Sequence, residues 1–132
     1  MFILNSQLKA DTFFVADLKI SQLLLMNDSN YVWLILVPRK PNLIELIDLN
    51  LDEQTQVLRE INLLGKILKE NFAAQKLNIG ALGNVVKQLH IHLIARHEND
   101  ATFPKPVWGN APTKPYAPQV AQDLIKKIKS FI

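Results

Sequence analysis

The segment from Gln88 to Arg96 constrains the fold most strongly, because polar and apolar residues alternate along it. Its first alternating positions are, in chain order, Gln88, Leu89, His90, Ile91, His92 and Leu93. A period of two residues predicts a β-strand with one apolar and one polar face. Two of the chain's 3 histidines therefore lie side by side on the polar face, next to an amide.

Histidines in this arrangement have three interpretations. Neighbours on one strand face are separated by two rises of about 3.3 Å, so their side chains can address one bound group as nucleophile or proton carrier. The simplest alternative is a solvated strand face with no chemistry. A zinc site is a further alternative, but it needs another ligand. The chain has 0 cysteines, and the spacing places His97 on the opposite face.

Composition limits the class of protein. The 132 residues, with 48% hydrophobic and 20% charged residues, predict a single domain over residues 1–132. The absence of cysteine excludes disulfides and fits the cytoplasm, and no segment resembles a signal peptide or membrane span. The net charge of +3 favours anionic ligands, but there is no concentrated basic stripe of the kind that binds nucleic acid.

Periodicity and turn signals predict the remaining elements. They are a short helix within residues 8–14, strands at 20–26 and 31–38 joined by a turn at 27–30, a helix from Asn50 to about residue 73, a short strand within 76–84, and a last helix from Pro118. Asn50 and Glu53 have the spacing of a capping box. The strand at 31–38 is almost wholly apolar and is expected to be buried on both faces, with Trp33 as a packing residue.

The segment Gly83 to Arg96 resembles the signature of the histidine triad superfamily of nucleotidyl hydrolases and transferases. That signature alternates three histidines with hydrophobic residues and often ends in arginine. His90 and His92 match the second and third histidines, whereas Gln88 replaces the first. The Gln-Leu-His-Ile-His run, followed by a Pro-Val-Trp-Gly segment that contains Trp108, resembles a bacterial histidine-triad-like or diadenosine tetraphosphate hydrolase-like branch.

The resemblance implies an α+β fold, with a meandering antiparallel sheet and helices packed on one face, and commonly a homodimer. It implies that His90 attacks the α-phosphate of a nucleotide derivative to form a nucleotidyl-histidine intermediate, assisted by His92 and Gln88. The substrate-binding candidates that it suggests are Asn27 near the ribose, Asn78 and Asn84 near the α-phosphate, Arg96 and Trp108. No metal is required, although Mg²⁺ could accompany a polyphosphate substrate.

Two departures from the family pattern bear on activity. Gln88 supplies an amide where an imidazole could carry protons, and Val85 occupies a position where serine is common. These departures keep open a second hypothesis, a nucleotide-binding or sensing module with little turnover. A third hypothesis, nucleic-acid end processing, lacks its expected basic or zinc-binding extension. The sequence does not distinguish dinucleoside polyphosphates from nucleotide phosphoramidates or adenylylated amines as the substrate.

Overall fold

The computed structural model describes all residues 1–132 as a five-stranded sheet with three α-helices and one 3-10 turn. In chain order the elements are α1 Ser6–Asp11, β1 Thr12–Asp17, β2 Ser21–Met26, β3 Trp33–Pro38, the 3-10 turn Leu46–Asp48, α2 Leu51–Asn71, β4 Lys76–Gly80, β5 Ile91–Arg96 and α3 Pro118–Lys129. None of the helices is long and apolar enough to cross a membrane.

The strands lie in the order β1-β2-β3-β5-β4, and every neighbouring pair is antiparallel. β1, β2 and β3 form a meander, and β5 then inserts between β3 and the edge strand β4. The hairpin of β2 and β3 forms across the predicted turn. The α+β class with a meandering antiparallel sheet is therefore confirmed.

The two faces of the sheet are covered differently. One face packs against α2 and α3, whose Leu64, Leu68 and Ile128 are buried with alternate leucines of β2 and β3. The other face buries a smaller cluster around Ile35 and Ile94, which is covered by Leu8 of α1 and Val107 of the loop before α3. The two long helices thus pack on one face, as predicted, and the polar side chains of β5 lie on the face covered by short segments.

Helix α2 forms where the sequence predicted it. The Asn50 side chain accepts from the Glu53 backbone N–H at 2.8 Å, and the Glu53 carboxylate accepts from the Asn50 N–H at 2.9 Å. This capping box satisfies two backbone donors that the first turn would otherwise leave unpaired. Val57, Leu64 and Leu68 then bury one face of the helix at helical spacing.

Two predicted boundaries were wrong. The helix near the start of the chain ends at Asp11, and residues from Thr12 onward form β1, which pairs with β2 from Thr12 opposite Met26 to Asp17 opposite Gln22. The run of threonine, phenylalanines and valine favours a strand once a partner strand is present. The ladder of β5 begins only at Ile91, so Gln88 precedes the hydrogen-bonded strand.

Candidate active site

His90 precedes β5 and has one ring nitrogen bound to the backbone. Its Nδ1 lies 2.7 Å from the carbonyl oxygen of Gln88. A carbonyl can only accept a hydrogen bond, so Nδ1 carries the proton in this contact and Nε2 of the neutral ring keeps its lone pair. The residue is 8% exposed, and Nε2 is unpaired by the protein without being fully enclosed. His90 therefore presents a nucleophilic nitrogen.

His92, two residues later, has the opposite tautomer. The indole N–H of Trp33 donates to His92 Nδ1 at 2.9 Å, and an indole can only donate. Nδ1 is therefore unprotonated, and the proton of the neutral ring lies on Nε2. Burial, followed by the nearby His90, lowers the pKa of His92 from 6.5 to about 4. His92 is therefore a neutral hydrogen-bond donor at physiological pH.

The two imidazoles and two indoles form one aromatic cluster, defined by His90, His92, Trp33 and Trp108. The His90 and His92 ring centroids are 5.0 Å apart, and Trp108 lies edge-on to His92 at 5.1 Å. The Trp108 N–H has no protein acceptor and is not fully enclosed. The structure thus brings the predicted Trp108 beside the predicted histidines, with an indole donor available to a ligand.

Trp33 contributes more than the packing that the sequence suggested. It is 6% exposed and packs edge-on against both Tyr31 and Trp108, but it also makes the hydrogen bond to His92. Its position follows from register, since Trp33 pairs with Ile94 and lies diagonal to His92 across β3 and β5. A correct strand pairing would have revealed this contact, whereas periodicity along one strand could not.

The Gln88 side chain is directed to the N-terminal segment. Its Nε2 donates to the Ile3 carbonyl at 2.9 Å, and its Oε1 accepts from the Asn5 N–H at 2.8 Å. This two-point pairing uses both halves of the amide, whereas an imidazole cannot donate and accept side by side in the same way. Gln88 therefore reaches His90 through its backbone carbonyl, and its amide holds residues 3–5.

Arg96, at the end of β5, has its side chain bound by protein. It is 1% exposed, and its Nε and Nη2 donate to the Asp100 carboxylate at 2.8 and 3.1 Å. Nη2 also donates to the Thr102 hydroxyl and the Lys105 carbonyl, and Nη1 donates to Asn78 Oδ1 at 2.7 Å. The guanidinium thus organises the loop after β5, and its predicted contact with substrate stays a prediction.

The Asp100 carboxylate is the counterpart of Arg96. Burial would raise its pKa, but hydrogen bonds from Arg96 and from the backbone N–H groups of His97, Thr102 and Phe103 outweigh burial. The pKa of Asp100 therefore lies well below its ordinary value, and the group is a carboxylate at any physiological pH. The Asp100 carboxylate closes the loop while Arg96 neutralises its charge.

The three predicted asparagines lie in different surroundings. Asn78 of β4 uses its oxygen on Arg96, and its Nδ2 makes no hydrogen bond in the protein. Asn84 is exposed in the irregular segment after Gly83, whose φ of 69° suits glycine, and Val85 beside it is 93% exposed. Asn27 Oδ1 accepts from the Tyr116 N–H at 2.9 Å in the β2–β3 turn.

Register separates Asn27 from the histidines. β3 and β5 pair from Trp33 opposite Ile94 to Leu36 opposite Ile91, and the turn with Asn27 precedes the Trp33 end. His90 lies beyond the other end of this pairing. The structure therefore brings His90, His92 and Trp108 together, but it does not bring Asn27 to them. Asn27 lies in the turn, and its predicted contact with the ribose stays a prediction.

The third histidine is separate from the site. His97 Nε2 lies 3.1 Å from the carbonyl oxygen of Phe72, and no group of three or more His, Cys, Asp or Glu side chains is placed to hold a metal ion. The aromatic cluster offers two imidazoles, of which His92 already uses Nδ1 on Trp33. Two imidazoles are fewer than the three protein ligands that a catalytic zinc site usually has.

Comparison with known proteins identifies this architecture. The sequence profile described as "HIT domain" matches residues 7–99. The chain is 44% identical to a histidine triad protein from Bradyrhizobium japonicum, covering 99% of this chain and 98% of that one with a TM-score of 0.96. A histidine triad protein from Sinorhizobium meliloti 1021 is 38% identical over 99% and 97% of the two chains, also with a TM-score of 0.96.

A more distant structure shares the fold. It is a diadenosine triphosphate hydrolase from Plasmodium falciparum, 20% identical over 94% of this chain and 77% of that one, with a TM-score of 0.69. A search of curated protein sequences found no significant match. The profile match, the two bacterial structures and the paired histidines before and within β5 lead to one conclusion: the chain belongs to the histidine triad (HIT) domain family.

Proposed function

We propose that this protein is a nucleotidyl hydrolase or transferase that acts at the α-phosphate of a nucleotide derivative through a nucleotidyl-histidine intermediate on His90. One observation carries the proposal: two imidazoles with ring centroids 5.0 Å apart have opposite tautomers. His90 has a bare Nε2 and His92 a protonated one, as deduced from their Nδ1 partners. A nucleophile beside a neutral donor suits attack on a phosphate ester or anhydride.

In the first step, the His90 Nε2 lone pair attacks the α-phosphorus. A P–N bond to His90 forms and the bond to the leaving group breaks. A polyphosphate leaves as its anion, whereas an amine takes up a proton from the solvent as its bond to phosphorus breaks. The His90 Nδ1–H stays on the Gln88 carbonyl, which stabilises the cationic ring of the intermediate. The His92 Nε2–H donates to a phosphate oxygen, where charge develops in the transition state.

In the second step, water attacks the same phosphorus. A new P–O bond forms as the water releases one proton to the solvent, the P–N bond to His90 breaks, and the nucleoside monophosphate leaves while the ring returns to its neutral form. The unpaired amide of Asn78, the exposed amide of Asn84 and the Trp108 N–H are the additional donors proposed for the phosphate. No step requires a metal, and Mg²⁺ is proposed only as a companion of a polyphosphate substrate.

The proposed substrates are dinucleoside polyphosphates and nucleotide phosphoramidates, with diadenosine tetraphosphate as the first candidate. The distant relative described as a diadenosine triphosphate hydrolase belongs to the same fold and supports this substrate class. The presence of Gln88 supports placing the chain in the bacterial histidine-triad-like branch, in which the first triad histidine is replaced. Cytoplasmic location, where such nucleotides occur, is part of the same proposal.

A homodimer is proposed as the working form. The edge strand β4 and helix α2 share a surface groove lined by residues that include Ile61, Gly65, Leu77 and Ile79. Ile79 is about half exposed, and a free sheet edge offers unpaired backbone groups for a second copy. Sedimentation velocity at micromolar protein tests the assembly, and a monomer throughout would contradict it.

Intact-mass spectrometry after rapid quench tests the covalent mechanism. The wild-type protein and the His90→Ala variant are mixed with diadenosine tetraphosphate or adenosine 5′-phosphoramidate. We expect one nucleotidyl adduct on the wild-type protein and none on the variant, with turnover lower by at least about a thousandfold in the variant. His97→Ala is the matched control, because His97 lies outside the site and should leave the adduct intact.

A second candidate function is nucleotide sensing without turnover. The observation that favours it is the use of the Gln88 amide on Ile3 and Asn5, which commits its oxygen and one of its two N–H donors to the N-terminal segment. Calorimetry with the same nucleotides separates the two functions. Binding near micromolar, about −8 kcal/mol, with neither adduct nor product would establish the sensor and end the enzyme proposal.

A further inference from the structure

We infer that Trp33 is a positioning residue whose indole N–H holds His92 in the tautomer with its proton on Nε2. The inference about catalysis rests on the function proposed above, whereas the tautomer itself is a property of the substrate-free protein. The carrying observation is the 2.9 Å hydrogen bond from Trp33 Nε1 to His92 Nδ1, between residues 59 positions apart.

The direction of this hydrogen bond is fixed by chemistry. Hydroxyl, amide and imidazole side chains can each accept as well as donate, so none of them would dictate the proton position on His92. An indole has a donor and no acceptor in its ring plane. With Trp33 at this position, His92 Nδ1 has to supply the lone pair, and protonating Nδ1 would leave two hydrogens facing each other.

The surroundings prevent the indole from turning away. Trp33 is 6% exposed, with Tyr31 edge-on at 6.2 Å and Trp108 edge-on at 6.0 Å between ring centroids. Tyr31 is itself fixed by a 2.9 Å hydrogen bond with the Thr102 hydroxyl. A buried indole N–H that lost its acceptor would be left desolvated and unpaired, so the native packing favours the bond to His92.

The charged and titratable groups around His92 are few. Trp33 from β3 and Trp108 from the loop before α3 enclose the ring, and neither titrates. His90, at 5.0 Å, is the titratable neighbour, and Tyr31 lies behind Trp33. Arg96, farther along β5, is paired with Asp100. In a variant that keeps the burial of the ring, a change in the pH response of His92 can therefore be attributed to Trp33 or His90.

The consequence is that two chemically identical side chains have different roles, His90 as nucleophile and His92 as hydrogen-bond donor. The Gln88 carbonyl accepts from His90 Nδ1, and the Trp33 indole donates to His92 Nδ1. One acceptor and one donor therefore set opposite states on the two Nε2 atoms: Nε2 of His90 is unprotonated, and Nε2 of His92 is protonated. With the tautomer of His92 released, part of the population would present a bare Nε2 to the phosphate and repel it.

Histidine nitrogen NMR on the substrate-free full chain tests the tautomer. In the wild type, we expect His92 Nδ1 to have the shift of an unprotonated nitrogen and Nε2 that of a protonated one, both constant between pH 8 and pH 5. Site-specific replacement of Trp33 by benzothienylalanine keeps the indole shape but has sulfur where the N–H was. In that variant, we expect averaged shifts and a titration midpoint above that of the wild type, because Nδ1 no longer faces an N–H while burial is unchanged.

Trp33→Phe provides a simpler variant, and Tyr31→Phe a packing control that keeps the indole N–H. A wild-type His92 protonated on Nδ1, or unchanged nitrogen shifts in the benzothienylalanine protein, would overturn the inference. If the wild type proves to have no turnover, the proposed function fails, and these shifts still decide whether Trp33 sets the tautomer.

Kinetics with adenosine 5′-phosphoramidate tests the catalytic consequence. For the benzothienylalanine variant, we expect kcat to fall about 10- to 100-fold with KM nearly unchanged, and the acidic limb of the kcat profile to move to higher pH. A residue that only supported packing would lower the rate equally at all pH values. A shifted tautomer with an unchanged kcat would show that Trp33 has no positioning role in the reaction.

Discussion

The two ends of β5 carry polar side chains on the same face of the sheet, yet they differ in how far those side chains are satisfied. At the first end, each imidazole uses Nδ1 on the protein and leaves Nε2 unpaired. At the other end, every nitrogen of the Arg96 guanidinium donates to a protein acceptor. Both ends are buried, so exposure does not distinguish them.

The difference distinguishes residues that can bind a ligand from residues that stabilise the fold. A buried polar group that keeps an unpaired donor or acceptor loses solvation without compensation, unless a ligand supplies the partner. A guanidinium whose three nitrogens all donate to the protein leaves little for a ligand, but it holds the loop that carries Trp108 through the Lys105 carbonyl. Mutations at the histidine end should therefore change chemistry, and mutations at the arginine end should change stability.

The largest expected effect on stability is that of Arg96→Met. It leaves the Asp100 carboxylate buried without its cation, which typically costs about 3–5 kcal/mol. Urea denaturation followed by circular dichroism measures the free energy of unfolding. The matched control is Arg96→Met combined with Asp100→Asn, which removes both charges and should recover part of the loss. Equal stability of Arg96→Met and wild type would remove the contrast between the two ends.

The next effect is a pH dependence at the histidine end. The folded-state pKa of His92, about 4, lies below its unfolded value of 6.5. As pH falls, the His92 ring of the unfolded chain therefore binds a proton before that of the folded chain. The contribution of the neutral ring to the free energy of unfolding is complete above pH 6.5 and is lost as pH falls to about 4. The loss is about 3 kcal/mol at most.

Denaturation midpoints at pH 7.5, 5.5 and 4.5 measure this loss. His92→Gln is the control, because glutamine cannot titrate but keeps an acceptor for the Trp33 indole. We expect the variant to have a flatter stability profile over this range. A wild-type profile as flat as that of His92→Gln would show that the ring is not held neutral by burial.

Asn78 tests whether the two ends are independent, since its oxygen serves Arg96 and its Nδ2 is proposed for the phosphate. Asn78→Ala removes a hydrogen bond to a charged group and should cost about 2 kcal/mol. Asn78→Asp keeps an acceptor for Arg96 but lacks the amide donor. We expect the Asp variant to retain stability and lose kcat/KM, as read by denaturation and nucleotide release. Loss of both stability and kcat/KM in both variants would show that the two ends of β5 do not act independently.

The smallest effect belongs to the Gln88 amide, which joins the histidine end to residues 3–5. Gln88→Leu removes two hydrogen bonds at a half-buried position and should cost about 1 kcal/mol. Hydrogen exchange at the Asn5 amide should accelerate in the variant, while exchange in β5 stays near the wild-type rate. Gln88→His is the comparison, and it should restore at most one of the two contacts. An unchanged Asn5 exchange rate would show that the amide pairing is not formed in solution.

Local patterns predicted the elements that depend on neighbouring residues. The capping box at Asn50 and Glu53 and the first turn of α3 at Pro118 involve residues within one turn of each other. The alternation around His90 and His92 predicted their shared face because strand geometry is local. β1 was missed because its strand character is expressed only against β2.

The roles of the site residues could not be predicted in the same way. The contact of Gln88 with Ile3 spans 85 residues, and the hydrogen bonds of Arg96 depend on the loop that follows β5 and on Asn78 of β4. No periodicity within one segment carries such information. The resemblance to the family supplied the candidate residues, while their bonding capacity came from the folded chain.

The sequence by itself determined the hairpin of β2 and β3, the two long helices and the shared face of His90 and His92, since period, turn signals and capping act over a few residues. Only the tertiary structure decided which nitrogen of each histidine carries the proton. That choice depends on whether a donor or an acceptor faces Nδ1, and those partners come from the Trp33 indole of another strand and the Gln88 carbonyl.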